Sequence, residues 1–444
     1  MFGIERTRLN TILALALPII GGMVSQNVLN LVDTLMVGHV GAKALAAVGM
    51  GGFVTFLANA FVTGMSTGVQ AMVSRRQGQG RTDETAVPLN GGLVLVVLIT
   101  VPMSIALIIL TPYIYPLLIK DPEVVAIGVP YVQVRLIAMI AVGANFSFRG
   151  YWNGISKSKM YLQTLLIMHA CNVVISYVFI FGALGAPRLG ATGAAVGTTV
   201  ATFIGSAYYF YLGRRHARSA GFLRGIPSMK TMRTMLRLSI PSGVQTVFFA
   251  GGFVTLFTII GRVGTAELSA AAVLITIMLV AILPGLALGL SAASLVGQAL
   301  GRGDKQDAVR WGWDVVKVGV VMMGTLGLPM LLIPQHLLAP FFNTDGAPYV
   351  LAIAPLMLFG GTLMLDAMGM VLLNAMMGAG ATRTAMVVSI VMQWVLFLPI
   401  AYLVGPVLGF GLIGIWMAQI GYRSAQSLVL AILWKRGNWA NIQV

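Results

Sequence analysis

Two carboxylates fall where lipid leaves a charge few options. Of the twelve acidic residues in the chain, ten lie in loops or at the ends of apolar runs, whereas Asp33 and Asp366 lie inside them. An unpaired carboxylate at mid-bilayer costs at least about 2.5 kcal/mol on insertion scales, so each must be protonated, matched by a cation or turned toward a wet cavity. A carboxyl in a low dielectric gives up its proton nearer neutral pH, which is the chemistry of a reversible proton carrier. The alternative is a structural carboxyl bonded to neighbouring helices. Asp33 has polar company, because Gln26, Asn30 and Asp33 recur at i, i+4 and i+7 with Asn27 beside them. That spacing puts them on one helical stripe, which must face protein or water. Upstream, Pro18 removes a helical hydrogen bond and offers a place to bend.

Other polar groups inside apolar runs are Asn145, Arg149, His169, Asn172, Ser176, Thr198 and Thr199. Asn172 and Ser176 share a helix face at i, i+4. With Asp33 and Thr198 they supply carboxylate, amide and hydroxyl oxygens that suit a sodium ion or a protonated carboxyl equally well. These four are the candidate coupling-ion residues, and Gln26, Asn30 and Asn145 are candidate substrate contacts. Serine and threonine also serve as interhelical glue, and a lone His169 reads as a packing residue. Arg135 and Arg423 read as satisfied near span ends or by carbonyls. No metal cluster is expected from a single cysteine, Cys171, and four scattered histidines.

These residues require helices in lipid to hold them. Of 444 residues 58% are hydrophobic and 9% charged, and the mean hydropathy is +0.91; soluble proteins carry about 25% charge. Apolar runs near 9–37, 45–72, 88–113, 124–148, 160–182, 192–213, 234–260, 268–296, 311–334, 346–376, 384–404 and 411–434 predict an all-α integral membrane protein with twelve transmembrane helices. The net charge of +16 comes from 28 basic residues, 22 of which fall on the side of the N-terminus and four on the other. By the positive-inside rule both termini are cytoplasmic, and the high charge needs no nucleic acid.

The chain repeats itself. Pro18 aligns with Pro241, Gly41 with Gly264, Gly78 with Gly301 and Gly80 with Gly303, all 223 residues apart. Six helices therefore occur twice in the same orientation, which predicts two six-helix lobes, 1–213 and 234–444, related by a pseudo-twofold along the membrane normal. The polar segment 214–233 is the expected cytoplasmic linker. At the same offset Asp33 falls on Leu256, Gln26 on Phe249 and Asn30 on Phe253. The first lobe is expected to handle the ion. The second is expected to offer an apolar substrate wall, including Phe249 and Phe253, with Asp366 as its one anion. No GxxxxGK[ST] or HExxH motif occurs, so no enzyme and no cofactor other than H+ or Na+ is expected.

The opening LALPIIGGMVSQNVLNLVDTLMVGHVG, the loop VSRRQGQGR, the stretches NVVIS and LGATGAAVGT and the segment RGYWNGISKSKM together resemble the multidrug and toxic compound extrusion (MATE) transporters over essentially the whole chain. The resemblance implies a V-shaped pair of six-helix lobes exporting organic cations or amphipathic drugs, driven by proton or sodium entry. It also implies that Asp33 is the first-helix acid, Pro18 the bending proline, Asn172 with Ser176 the fifth-helix Asn-x-x-x-Asp/Asn motif, and Asp366 the tenth-helix acid. Ser176 departs from that motif, and the seventh helix lacks the Glu found in many members. Both departures favour protons over sodium. The expected setting is the cell inner membrane, with the protein a monomer in the bilayer. A lipid-linked oligosaccharide flippase of the same superfamily is the rival reading, though it would call for several central arginines; a membrane-embedded enzyme or receptor is a remoter one.

Overall fold

The computed structural model describes residues 3–342 and 345–442; the few residues outside these ranges belong to the expected termini and to one loop of the second lobe. Its helices are α1 (Arg6–Gly38), α2 (Ala42–Ala60), α3 (Gly64–Gly78), α4 (Val87–Leu118), α5 (Pro122–Ile137), α6 (Met139–Gly154), α7 (Ser158–Phe181) and α8 (Ala191–His216). They continue as α9 (Met229–Gly261), α10 (Thr265–Ala281), α11 (Leu283–Gly301), α12 (Lys305–Leu332), α13 (Pro334–Leu338), α14 (Ala347–Gly378), α15 (Thr382–Ile390), α16 (Leu398–Tyr402) and α17 (Gly411–Arg436). Each of the twelve expected spans falls on one of these helices or on a broken pair of them. Among the described residues nine segments are long and apolar enough to cross a membrane by themselves, and the α5–α6 pair, bent by 46° at Ala138, makes a tenth. The remaining two are α8, rich in Gly and Thr, and α17, which carries Gln419, Arg423 and Gln426. Exposed Leu98, Ile105, Ile109 and Leu117 on α4 mark a surface that only lipid can wet favourably.

The duplication is visible in local geometry. Helices α1 and α9 each have 33 residues and one internal proline, Pro18 and Pro241. Gly80 and Gly303 both adopt positive φ, 74° and 81°, just past the ends of α3 and α11. A side chain there would be strained, so the turn itself selects glycine in both copies. The copies diverge in the fourth crossing, bent at Ala138 in the first and unbroken as α14 in the second, and in the fifth. The first copy's fifth crossing is the regular α7, whereas the second's contains π-helical turns at Val391–Phe397 and Leu403–Val407.

Contacts divide the chain into two compact units, Gly21–Gly243 and Met1–Ile20 with Val244–Val444. The divisions fall two residues after Pro18 and Pro241, at positions 223 apart. Within the second unit the start of α1 is held by a buried ion cluster. The Arg8 guanidinium donates Nε to Asp314 (2.7 Å) and Nη1 to Asp307 (2.6 Å), and it lies 3.6 Å over the Trp311 ring. Ile12, Leu15 and Ala16 continue this packing against Trp311, Val315 and Trp434. Within the first unit, the expected linker is no loose tether. Asn90 donates to Gly221 O (2.9 Å) and accepts from Leu223 N (2.9 Å), while Phe222 packs edge-on against Phe148, with ring centroids 5.7 Å apart.

Removing one partner of a buried ion pair strands the other charge and costs about 3–5 kcal/mol. Arg8→Ala is therefore expected to lower the thermal unfolding midpoint in detergent markedly. A midpoint within about one degree of the parent would mean the cluster contributes nothing.

Candidate functional site

The polar residues of the first unit converge from four helices. On α1, Gln26 Nε2 donates to Asn30 Oδ1 (3.1 Å), one turn before Asp33. Helix α7 reaches this stripe through His169, whose Nε2 donates to Gln26 Oε1 (3.0 Å) while Nδ1 pairs with the Ser25 hydroxyl (2.5 Å). Gln26 Oε1 can only accept, so Nε2 of the ring carries a proton. Asp33 and Ser176 each lie seven residues beyond this tie, in helices that run the same way. Both are thus about 10 Å further along the crossing.

At that level Ser176 donates to Asn172 Oδ1 (2.8 Å), and Asn172 Nδ2 reaches Thr198 Oγ1 of α8 (3.3 Å). Gly197 makes this approach possible, because any Cβ there would collide with Ser176 backbone and hydroxyl atoms. The sequence-derived candidates Asn172, Ser176 and Thr198 are thus a single bonded group, and Gln26 and Asn30 a second. Asn145 belongs to a third, accepting from Ser206 (2.7 Å) and donating to Thr202 O (3.3 Å). Thr199 instead bonds Val134 O (3.0 Å) and acts as helix glue.

Asp33 stands apart from all three. It is partly exposed, yet its Oδ1 is buried without a hydrogen-bond partner. The cation whose field reaches it is Arg135 of α5, which forms no ion pair of its own among the described residues. Arg135 was expected to be satisfied near a span end or by carbonyls; it lies in the last turn of α5, just before the break at Ala138 and so inside the bent α5–α6 crossing. Asn27, Asn30 and Thr34 line the exposed side of α1, a polar strip that lipid cannot solvate. Together these groups can hold an ionisable carboxyl beside water without fixing its proton.

The second unit treats its carboxylate differently. Asp366 is buried, and its Oδ1 accepts from Arg423 Nε at 2.9 Å. Arg423 sits midway along α17, so the expectation that it is satisfied near a span end or by carbonyls is also corrected. Phe249 and Phe253 meet edge to face, 5.0 Å apart, and Leu256 at the Asp33-equivalent position is core. The expected apolar wall omitted a set of glutamines. Gln245 of α9 and Gln426 of α17 both donate to Ser389 (3.1 and 3.4 Å), and Gln393 Nε2 reaches Phe249 O (3.4 Å). The signal was present, since Gln419, Arg423 and Gln426 repeat the i, i+4, i+7 spacing of Gln26, Asn30 and Asp33.

A helical membrane protein with duplicated halves and, among the described residues, a carboxyl inside a span with an oxygen left unpaired has the make-up of a secondary transporter. The family model MatE matches residues 18–178 and 241–403, two stretches that begin at the repeated prolines, and the chain belongs to that family. Members are transporters rather than enzymes. A relative from Rhizobium meliloti named as a probable multidrug resistance protein NorM is 26% identical over 432 residues, covering 96% of this chain and 92% of that protein. The multidrug resistance protein NorM of Burkholderia vietnamiensis is 27% identical over 429 residues, covering 94% and 91%. Among solved structures, an outward-facing multidrug resistance MATE family transporter aligns with a TM-score of 0.90 at 20% identity, covering 98% of this chain and 97% of that one. A MOP superfamily transporter from Pyrococcus furiosus aligns at 0.89 with 19% identity, covering 98% and 97%. The chain is a multi-pass membrane transporter of this family.

Removing the His169 ring deletes two hydrogen bonds at once. His169→Leu is expected to destabilise the first unit by about 1–3 kcal/mol, while His169→Gln, able to keep one bond, loses about half as much. Equal thermal shifts for the two variants would show that the α1–α7 tie contributes no polar stabilisation.

Proposed function

We propose that this protein exports organic cations and amphipathic drugs in exchange for protons, and that Asp33 carries the proton. The observation that supports this most is the contrast between the two mid-span carboxylates. Asp366 has its charge met by Arg423 and needs nothing from solution. Asp33 has an oxygen without a partner beside a polar, exposed strip, so its charge is met only by a proton or a transported cation. Asn172, Ser176 and Thr198 already satisfy one another and contain no second carboxylate, a poor set for stripping water from sodium. In this scheme protonation from outside releases the organic cation, and deprotonation toward the cytoplasm resets the site. Pro18 supplies the bend that carries α1 between the two forms. The bias of basic residues supports cytoplasmic termini in an inner membrane, and a monomer suffices because the first unit holds the whole ion site.

One proton entering down 100 mV supplies about 2.3 kcal/mol, and each pH unit adds about 1.4. Together they sustain a gradient of a few hundredfold for a neutral substrate. Asp33→Asn is expected to abolish tolerance to ethidium-like cations in a drug-sensitive host while leaving the amount of protein in the membrane unchanged; protection equal to that of the parent would end the proposal.

The coupling ion is tested separately in proteoliposomes holding a fixed pH gradient. Replacing sodium with choline is expected to leave export unchanged, and collapsing the pH gradient at constant sodium to stop it. Export that tracks sodium instead would assign the coupling to that ion.

A further inference from the structure

The linker carries more charge than its surroundings answer. Between residues 214 and 233 stand Arg214, Arg215, Arg218, Arg224, Lys230 and Arg233, with no acidic residue among them. All six are exposed, and none forms an ion pair among the described residues. Two acids stand beside the linker at the α3–α4 junction. The backbone of Asp83 lies against Gly221, and Glu84 is already paired with Arg81.

The segment is also held at a defined depth. Asn90, near the start of α4, grips three of its backbone groups, donating Nδ2 to Gly221 O (2.9 Å) and Gly225 O (3.2 Å) and accepting from Leu223 N (2.9 Å). Arg218 fixes the same loop by donating Nη1 to Phe222 O (3.1 Å) and Leu223 O (3.2 Å). Buried Pro227 lies against Gly91 of α4. Val97 and Leu98, whose exposed side chains only lipid can wet, stand about 10 Å further along that helix. The linker is thus clamped at the level of the headgroups rather than hanging in water.

What the clamp presents outward is partly apolar. Ile226 and Met229, on either side of Pro227, are 80% and 82% exposed. Leu223 is exposed too, at a left-handed φ of 54° that a leucine adopts only where its surroundings impose it. Beyond Met229, Lys230, Arg233 and Arg237 recur at i, i+3 and i+7 on α9, opposite buried Met232 and Met235. Apolar tips set among cations match a boundary between acyl chains and charged headgroups.

We propose that the linker is a docking surface for anionic phospholipid headgroups of the leaflet in which it lies. The bases take the phosphates, whose oxygens fit the guanidinium fork, while Ile226 and Met229 enter between the headgroups. Bound anions offset the repulsion among six clamped cations, which zwitterionic lipid would leave in place. The proposal stands whatever the protein carries and whichever ion drives it.

A bimane label on Met229→Cys, in a Cys171→Ser background, reads the lipid beside the linker. The protein is placed in phosphatidylcholine nanodiscs doped with phosphatidylglycerol or phosphatidylcholine carrying the same nitroxide on the acyl chain. Phosphatidylglycerol is expected to quench about threefold more efficiently at low salt, and the excess to shrink at high salt. The same label on Leu98→Cys is expected to show no preference. Arg224→Gln, Lys230→Gln and Arg233→Gln combined are expected to bring the ratio at the linker to about one. Equal quenching by the two lipids with the charges intact overturns the proposal even if that triple variant fails to fold, as does an equal preference at Leu98. Displacement of the phosphatidylglycerol signal by RNA at matched phosphate would assign the surface to nucleic acid and overturn it as well.

Discussion

A charge inside a membrane-spanning helix has to be answered, and the organisation of this protein follows from the two answers it gives. In the second unit the answer is covalent to the chain: Arg423 meets Asp366 at 2.9 Å. In the first unit the answer is left to come from solution, because Asp33 retains an oxygen without a partner beside exposed amides. The first arrangement is a permanent neutral pair and the second a group with two accessible charge states. Secondary transport needs the second kind, since a carrier that cannot change its charge cannot exchange one ion for another.

The polar groups around Asp33 are arranged so that they do not quench it. Ser176, Asn172 and Thr198 bond to one another, while Gln26, Asn30, Ser25 and His169 form a separate chain. Had either group turned its donors on Asp33, the carboxylate would be fixed in its ionised form. Gly197 shows how closely this is set, because a Cβ there would collide with the Ser176 backbone and hydroxyl.

Much of this was legible in the sequence because lipid makes composition and spacing strict. The twelve apolar runs, the 223-residue repeat and the stripe from Gln26 to Asp33 each follow from rules that tolerate few exceptions in a membrane. The partner of Asp366 was not legible, since pairing across 57 residues depends on how α14 and α17 are rotated. The glutamines of the second unit were passed over for a different reason: they carry no charge, and attention went to the position equivalent to Asp33, where the chain has Leu256. Their spacing around Arg423 was the available clue. The anchoring of the linker by Asn90 brings that side chain against Gly221, Leu223 and Gly225, more than 130 residues further along the chain.

The ion cluster at the start of α1 has a consequence for biogenesis. Arg8 and Asp314 are 306 residues apart. At about 5–20 residues per second, ribosomes deliver the acidic partner some 15–60 seconds after the arginine. Throughout that interval the leading turns of the nascent chain have no finished surface to settle on, so the second compact unit closes only late in synthesis, around the segment made first.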